Sequence, residues 1–241
     1  MCPPTTGLGR TFNETYYDEF IDALNFITNV GGYVIIDPHN YMRYNGDNVI
    51  GDPNNPNSAT AQQFADFWAE MASRVINNAK VIFGIMNEPH DMSTELLLSV
   101  DQAAVNGIRM AGTPTSEVLG NITDPTNNFA FDMHQYFDSD GSGTSDQCVS
   151  ETIGTERLAD ATTWLQQNNF KTFLSEFGAG SNDVCFDCVD NVLDYLNEND
   201  VWIGWSYWEA GPQWGDYFQS IEPYQGPEFT TTWLCLKPHL P

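Results

Sequence analysis

Two runs in this chain are mostly apolar, fit for buried parallel strands, and yet end on a carboxylate: Phe83-Gly84-Ile85-Met86-Asn87-Glu88-Pro89 and Phe173-Leu174-Ser175-Glu176-Phe177-Gly178. Burying a carboxylate without partners is costly. Two such glutamates in one chain suggest an acid/base and a nucleophile working as a pair, the chemistry that cleaves glycosidic bonds. The alternative is two structural carboxylates, each held by backbone donors or an arginine. With 8 Lys+Arg against 33 Asp+Glu, cationic partners are scarce, which weakens that alternative.

The elements that must position these glutamates follow from periodicity. Helix is expected over 16–29, with Phe20, Leu24 and Ile27 on one face, ended by Gly31-Gly32. Strand follows over 33–37, then a loop rich in Asn, Asp, Gly and Pro to about residue 57. Helix over 61–77 carries Phe64, Phe67, Trp68, Met71 and Val75 at helical spacing, and strand over 81–86 closes on Asn87-Glu88. Helix over 94–110 is broken by Ala111-Gly112-Thr113-Pro114. Then come strand 129–136, helix 156–168, strand 172–177, helix 187–197, strand 202–208 and a last helical turn near 231–236.

Alternating strands and amphipathic helices without an internal linker argue for one parallel α/β unit over residues 1–241. Polar residues gather at the strands' carboxyl ends: His39/Asn40, Asn87/Glu88, His134/Tyr136, Glu176 and Trp208. A (β/α)8 barrel builds its active site in that place. A doubly wound sheet would do so with a glycine-rich phosphate turn, and no G-x-G-x-x-G follows a strand here. The barrel is preferred.

Composition narrows the partners. Hydrophobic content of 41% and 13% aromatics suffice for a sizeable core, and seven Trp offer flat surfaces for sugar rings as well as core packing. A formal net charge of −25 argues against nucleic acid and anionic membrane surfaces. No apolar window of about 18 residues is present for a membrane span. Asn13-Glu14-Thr15 and Asn121-Ile122-Thr123 are glycosylation acceptor triplets compatible with secretion, although Met1-Cys2-Pro3-Pro4 is not a signal peptide. Cys185-Phe186-Asp187-Cys188 reads as a redox or metal motif, or as two of the five cysteines used in separate disulfides. No second Cys or His pair supports zinc, so disulfides are preferred and no metal or cofactor is expected.

The chain resembles glycoside hydrolase family 5, in particular the fungal endo-β-1,4-glucanases. The resemblance is carried, in order, by Ile36-Asp37-Pro38-His39-Asn40-Tyr41, Ile85-Met86-Asn87-Glu88-Pro89-His90-Asp91-Met92 and His134-Gln135-Tyr136-Phe137-Asp138-Ser139-Asp140. Leu174-Ser175-Glu176-Phe177-Gly178 and Trp205-Ser206-Tyr207-Trp208-Glu209-Ala210-Gly211-Pro212 continue it. It implies Glu88 as general acid/base and Glu176 as nucleophile, in a retaining reaction whose carboxyls lie about 5 Å apart. It also implies a raised acid pKa from burial and a neighbouring carboxylate. Asn87 would hold the sugar 2-hydroxyl, Tyr136 would orient Glu176, His39 and His134 would bind hydroxyls, and Trp208 would stack on a ring. Cellulose or β-glucan is the expected substrate; mannan and xylan stay open, since loops set substrate choice. The resemblance further implies secretion and the disulfides Cys148–Cys185 and Cys188–Cys235, with Cys2 free.

Against the family pattern the chain reads as a truncated module, lacking the first two strands, the arginine that ends the second, and most of the fifth strand, of which 117–119 is a remnant. The expectation is an incomplete barrel of about five to six strands. Strand number, tilt and stagger are linked in a barrel, so such a sheet exposes edges and apolar lining. A homodimer covering the open side and reduced hydrolysis are therefore expected. The alternatives are a carbohydrate-binding or relic protein on the same scaffold and a truncated product without an independent role. Glu209 follows Trp208 where the family often has a small residue; it is either a solvated loop carboxylate or a third charge perturbing the pair.

Overall fold

The computed structural model describes residues 7–9, 11–112 and 122–240. The chain forms two compact units, Met1–Asn128 and Phe129–Pro241. Cys2, Asn121 and the strand remnant at 117–119 lie outside the described residues.

The first unit opens with α1 (Glu14–Asn29), whose N-cap Asn13 accepts a hydrogen bond from the Tyr16 amide. Its chain reverses through Gly31, whose φ of +105° suits a residue without Cβ. Strand β1 (Val34–Ile36) pairs in parallel with β2 (Val81–Phe83), Val34 opposite Val81 and Ile36 opposite Phe83. Both strands are shorter than periodicity suggested, because Pro38 has no amide hydrogen to carry the ladder further. Between them α2 (Ala61–Val75) starts on a capping box made by Thr60 and Gln63. Its buried face, Phe64, Phe67, Trp68, Met71 and Val75, meets Val34, Ile36, Val81 and Phe83. Trp68 is fully buried, so truncation to alanine would cost about 3–5 kcal/mol. Helix α3 (Thr94–Gly112) approaches α2 at Gly107, where a Cβ would lie 2.2 Å from the Ala65 carbonyl oxygen.

The second unit is a three-stranded parallel sheet in the order β3 (Phe131–His134), β4 (Thr172–Glu176), β5 (Trp202–Trp205). Helices α4 (Ile153–Asn168) and α5 (Asp183–Glu198) follow the first two strands, and α6 (Thr232–Leu236) follows the third after a long loop. Leu158, Leu165, Leu174, Val189, Val192, Leu193 and Trp202 form the core. The β3–β4 register shifts between Met133 and His134, so that His134 comes opposite Glu176.

Each of the five strands among the described residues is followed by a helix. This is the repeat of a (β/α)8 barrel in incomplete form, as the sequence led one to expect. Successive side chains of a strand face opposite ways. One face of each sheet meets the helices, while the other carries Ile35, Ile82 and Ile203, which are 37%, 47% and 58% exposed.

Cys148 and Cys185 are disulfide-bonded. The Cys-x-x-Cys pair is therefore not a redox disulfide, since its first member bonds a distant loop. The second expected bridge is corrected: Cys188 and Cys235 are free thiols. Cys188 is buried in α5 with its sulfur hydrogen-bonded at the Gly154 backbone, and burial pushes the thiol up to about 11.

Candidate active site

In the first unit the chain leaves β1 through Pro38 and β2 through Gly84, and the two exits are tied together. The Gly84 amide donates to the Ile36 carbonyl (2.9 Å) and the Asn87 amide to that of Pro38 (3.2 Å). Gly84 permits this approach, because a Cβ there would lie 3.2 Å from Ile35. The side chains that result form a short polar row. His39 Nδ1 stands 3.8 Å from an Asp37 carboxyl oxygen, and the Asn87 amide nitrogen lies 3.4 Å from His39 Nε2. Asn87 is buried, whereas His39 is exposed. Tyr41 stands edge-on to His39, its ring 5.5 Å away, and is also 5.6 Å from the His90 ring. Arg43 pins both segments by donating to the carbonyls of Tyr41 (2.9 Å) and His90 (2.8 Å).

Glu88 corrects an expectation. It lies five residues beyond β2, has a left-handed backbone (φ +37°) and is exposed. The turn that buries Asn87 is the one that carries Glu88 out to solvent; the buried carboxyl expected here is absent from this position.

In the second unit the glutamate is where the sequence put it. Glu176 is the last residue of β4 and 9% exposed. The Tyr136 hydroxyl donates to its Oε1 at 2.5 Å, and His134 Nδ1 lies 3.6 Å from its Oε2. The register shift in β3 turns His134 toward it, and the Gln135 amide continues the pairing by donating to the Glu176 carbonyl (3.0 Å).

Tyr136 is held by a loop that motif reasoning overlooked. Buried Asp138 accepts from the amides of Gly143, Thr144 and Ser145 at 3.0–3.2 Å, closing the loop on itself. Arg157, from α4, donates to the carbonyls of Tyr136 (2.7 Å) and Asp138 (2.8 Å). Gly143, at φ +72°, leaves room for the Tyr136 ring; a Cβ would sit 2.5 Å from it. The Asp138-Ser139-Asp140-Gly141-Ser142-Gly143 run is a turn signal that could have located this brace.

Trp208 reaches the same strand end from β5. Its amide donates to the Phe177 carbonyl (2.8 Å), and its ring stands edge-on to Trp214 at 5.3 Å. It is partly buried, leaving aromatic surface in reach of solvent. Glu209, next in the chain, is 4% exposed, so the solvated-loop reading is overturned. Loss of solvent, and then the charge of Glu176, push its carboxyl up to about 8.

Residues 2–211 match the family described as Cellulase (glycosyl hydrolase family 5). Endoglucanase 1 of Robillarda sp. is 43% identical over 245 residues, covering 89% of this chain and 63% of that protein. The chain thus spans a little under two thirds of this curated relative. A solved endo-β-1,4-glucanase from Xanthomonas axonopodis pv. citri superposes with a TM-score of 0.86 at 30% identity, covering 97% of this chain and 81% of that one. XacCel5A, solved in complex with cellopentaose, gives 0.85 at 31%, covering 95% and 80%. The ordered strand-end motifs, the parallel β/α repeats and these matches agree, and the chain belongs to glycosyl hydrolase family 5.

Proposed function

We propose that the chain is a single catalytic module, a retaining endo-β-1,4-glucanase cleaving internal bonds of cellulose or β-glucan. Glu176 is the nucleophile and Glu88 the general acid/base. Asn87, His39 and His134 bind sugar hydroxyls, Tyr136 orients Glu176, and Trp208 is a platform for a sugar ring. The observation that carries this reading is the buried Glu176 held by Tyr136 at 2.5 Å. A carboxylate fixed by a charge-assisted hydrogen bond is prepared for attack on an anomeric carbon. In the first step Glu176 Oε2 would bond to that carbon while Glu88 protonates the departing oxygen. Glu88, now a carboxylate, would then take a proton from the water that releases the sugar.

Turnover is expected to fall below that of complete family members, because the barrel is incomplete, Glu88 is exposed and small misplacements of a catalytic group cost rate steeply. The same exposure favours a second reading, a glucan-binding protein without turnover. Secretion agrees with the disulfide. A homodimer that covers Ile35, Ile82 and Ile203 would remove apolar surface from water. Sedimentation of a stable monomer at all concentrations would count against it.

The deciding experiment measures reducing-sugar release from carboxymethyl-cellulose, mannan and xylan, with cellopentaose products followed by NMR. The wild type should release sugar from the glucan with the β-anomer appearing first, and Glu88→Gln and Glu176→Gln should not. Cellopentaose binding without release in all three proteins would establish the binding protein instead.

A further inference from the structure

Glu209 is a buried carboxyl of the second unit that the proposed pair does not use. Its Oε1 is shielded from solvent and has no hydrogen-bond partner among the described residues. The backbone encloses it on both sides: the Glu209 amide donates to the Gln219 carbonyl (3.4 Å), and the Glu209 carbonyl accepts from the Ile221 amide (2.8 Å). Gln219 and Ser220 are themselves buried. Gly178 admits this closed turn to the end of β4; a Cβ there would lie 2.6 Å from the Trp208 carbonyl oxygen and 2.7 Å from the Gln219 side-chain amide.

The charges facing Glu209 are all of one sign. Glu176 faces it from β4 and the Tyr217 phenol from the enclosing turn. Behind Glu176 stand Tyr136 and His134. Arg157, the one arginine of this unit, is committed to the carbonyls of Tyr136, Asp138 and Ser139. An ionised carboxylate with an orphan oxygen, enclosed beside a second carboxylate, is costly on both counts; a neutral acid carries neither cost.

We propose that Glu209 is a positioning residue that works as an uncharged acid: while it holds its proton the 208–221 turn stays closed and Trp208 is fixed beside Glu176, and loss of that proton opens the turn and frees Trp208. The consequence for sugar binding rests on the glucanase reading; the protonation state does not.

Two measurements test it. Glutamate labelled with carbon-13 at the side-chain carboxyl is titrated by NMR in the wild type, Glu209→Gln and Glu176→Gln. The expected result is one carboxyl titrating near pH 8, absent from Glu209→Gln and moved to lower pH in Glu176→Gln. No carboxyl titrating above about pH 6 in the wild type would overturn the proposal, and so would a midpoint that ignores Glu176→Gln. Should Glu209→Gln not fold, the wild type and Glu176→Gln decide. In parallel, cellopentaose affinity is followed from about pH 7 to about pH 9.5. It should weaken by up to about 30-fold in the wild type, the depletion of the protonated form, and stay within about twofold in Glu209→Gln, whose amide cannot ionise. Equal pH dependence in both proteins would overturn the proposal. A protein that binds no cellopentaose at any pH would remove the glucanase reading, leaving the carboxyl titration to judge Glu209.

Discussion

The Tyr136 hydroxyl and Oε1 of Glu176 are 2.5 Å apart, joined across neighbouring strand ends. That contact depends on three things local to the second unit. The register of β3 slips by a residue, Asp138 closes the loop after Tyr136, and Arg157 holds the backbone carbonyls of Tyr136 and Asp138.

Removing the contact should cost rate more than binding. A hydrogen bond to a charged group contributes about 1.5–3 kcal/mol, so Tyr136→Phe should lower kcat on cellopentaose by about 10- to 150-fold, with KM changed by less than about threefold. Steady-state kinetics read both. A kcat within twofold of wild type, on the order of the noise in such a comparison, would show that other groups orient Glu176.

The glycine beneath the tyrosine makes a second, independent lever. Gly143→Ala places a Cβ in left-handed backbone against the Tyr136 ring. Both strain and clash oppose it, and the expected loss of stability is about 1–3 kcal/mol by urea unfolding. The same variant should lose activity in parallel with Tyr136→Phe. Normal activity with lowered stability would mean that the ring finds another seat.

Much of this was legible in the residues. The strand and helix order and the buried face of α2 follow from local spacing, and so does the placing of Glu176. What was not legible depends on chain segments distant in sequence. Glu209 is buried because residues 219–221 return to pair with it, which no pattern near 209 announces. Glu88 is exposed because its turn adopts φ +37°, a conformation that a non-glycine residue does not advertise. Cys188 stays a thiol because α5 aims it at Gly154 rather than at the cysteine of α6.

Glu209 should also tilt the stability of the protein with pH. Its folded-state value is raised from the ordinary 4.5 to about 8. The folded state therefore binds the extra proton, and the contribution is fully present below about pH 4.5 and lost as pH rises through about 8. Thermal melts of the wild type should fall between about pH 6 and about pH 9 more steeply than those of Glu209→Gln. Parallel curves would mean that Glu209 titrates normally.

Asp124 should act in the opposite sense. Its burial pushes the carboxyl up, but the Arg109 fork at 2.7 Å and donors from Thr126 and Asn128 outweigh this and hold it well below the usual carboxylate range. Its contribution is present above about pH 4 and lost as pH falls below that value. Arg109→Leu leaves the buried carboxylate without its cation, at a cost of about 3–5 kcal/mol. The loss should be largest near neutrality and shrink in acid, where the wild type has also lost the pair. A pH-independent loss would assign it to packing of the arginine stem instead.

The Cys148–Cys185 bridge joins the loop after Tyr136 to the first turn of α5 and closes 37 residues of chain. In the chain-entropy account such a closure contributes about 4 kcal/mol. Yet the bridge is not what aims Tyr136. Asp138 and Arg157 brace that residue locally, and Asn182 donates to the Asp146 carbonyl at 2.8 Å alongside the bridge. The Cys148→Ser/Cys185→Ser double variant should thus lose about 3–4 kcal/mol in urea unfolding while keeping kcat on cellopentaose within about twofold at low temperature, where the fold persists. A drop in kcat matching that of Tyr136→Phe, in protein shown to be folded, would move the bridge from the scaffold into the set of contacts that position Glu176.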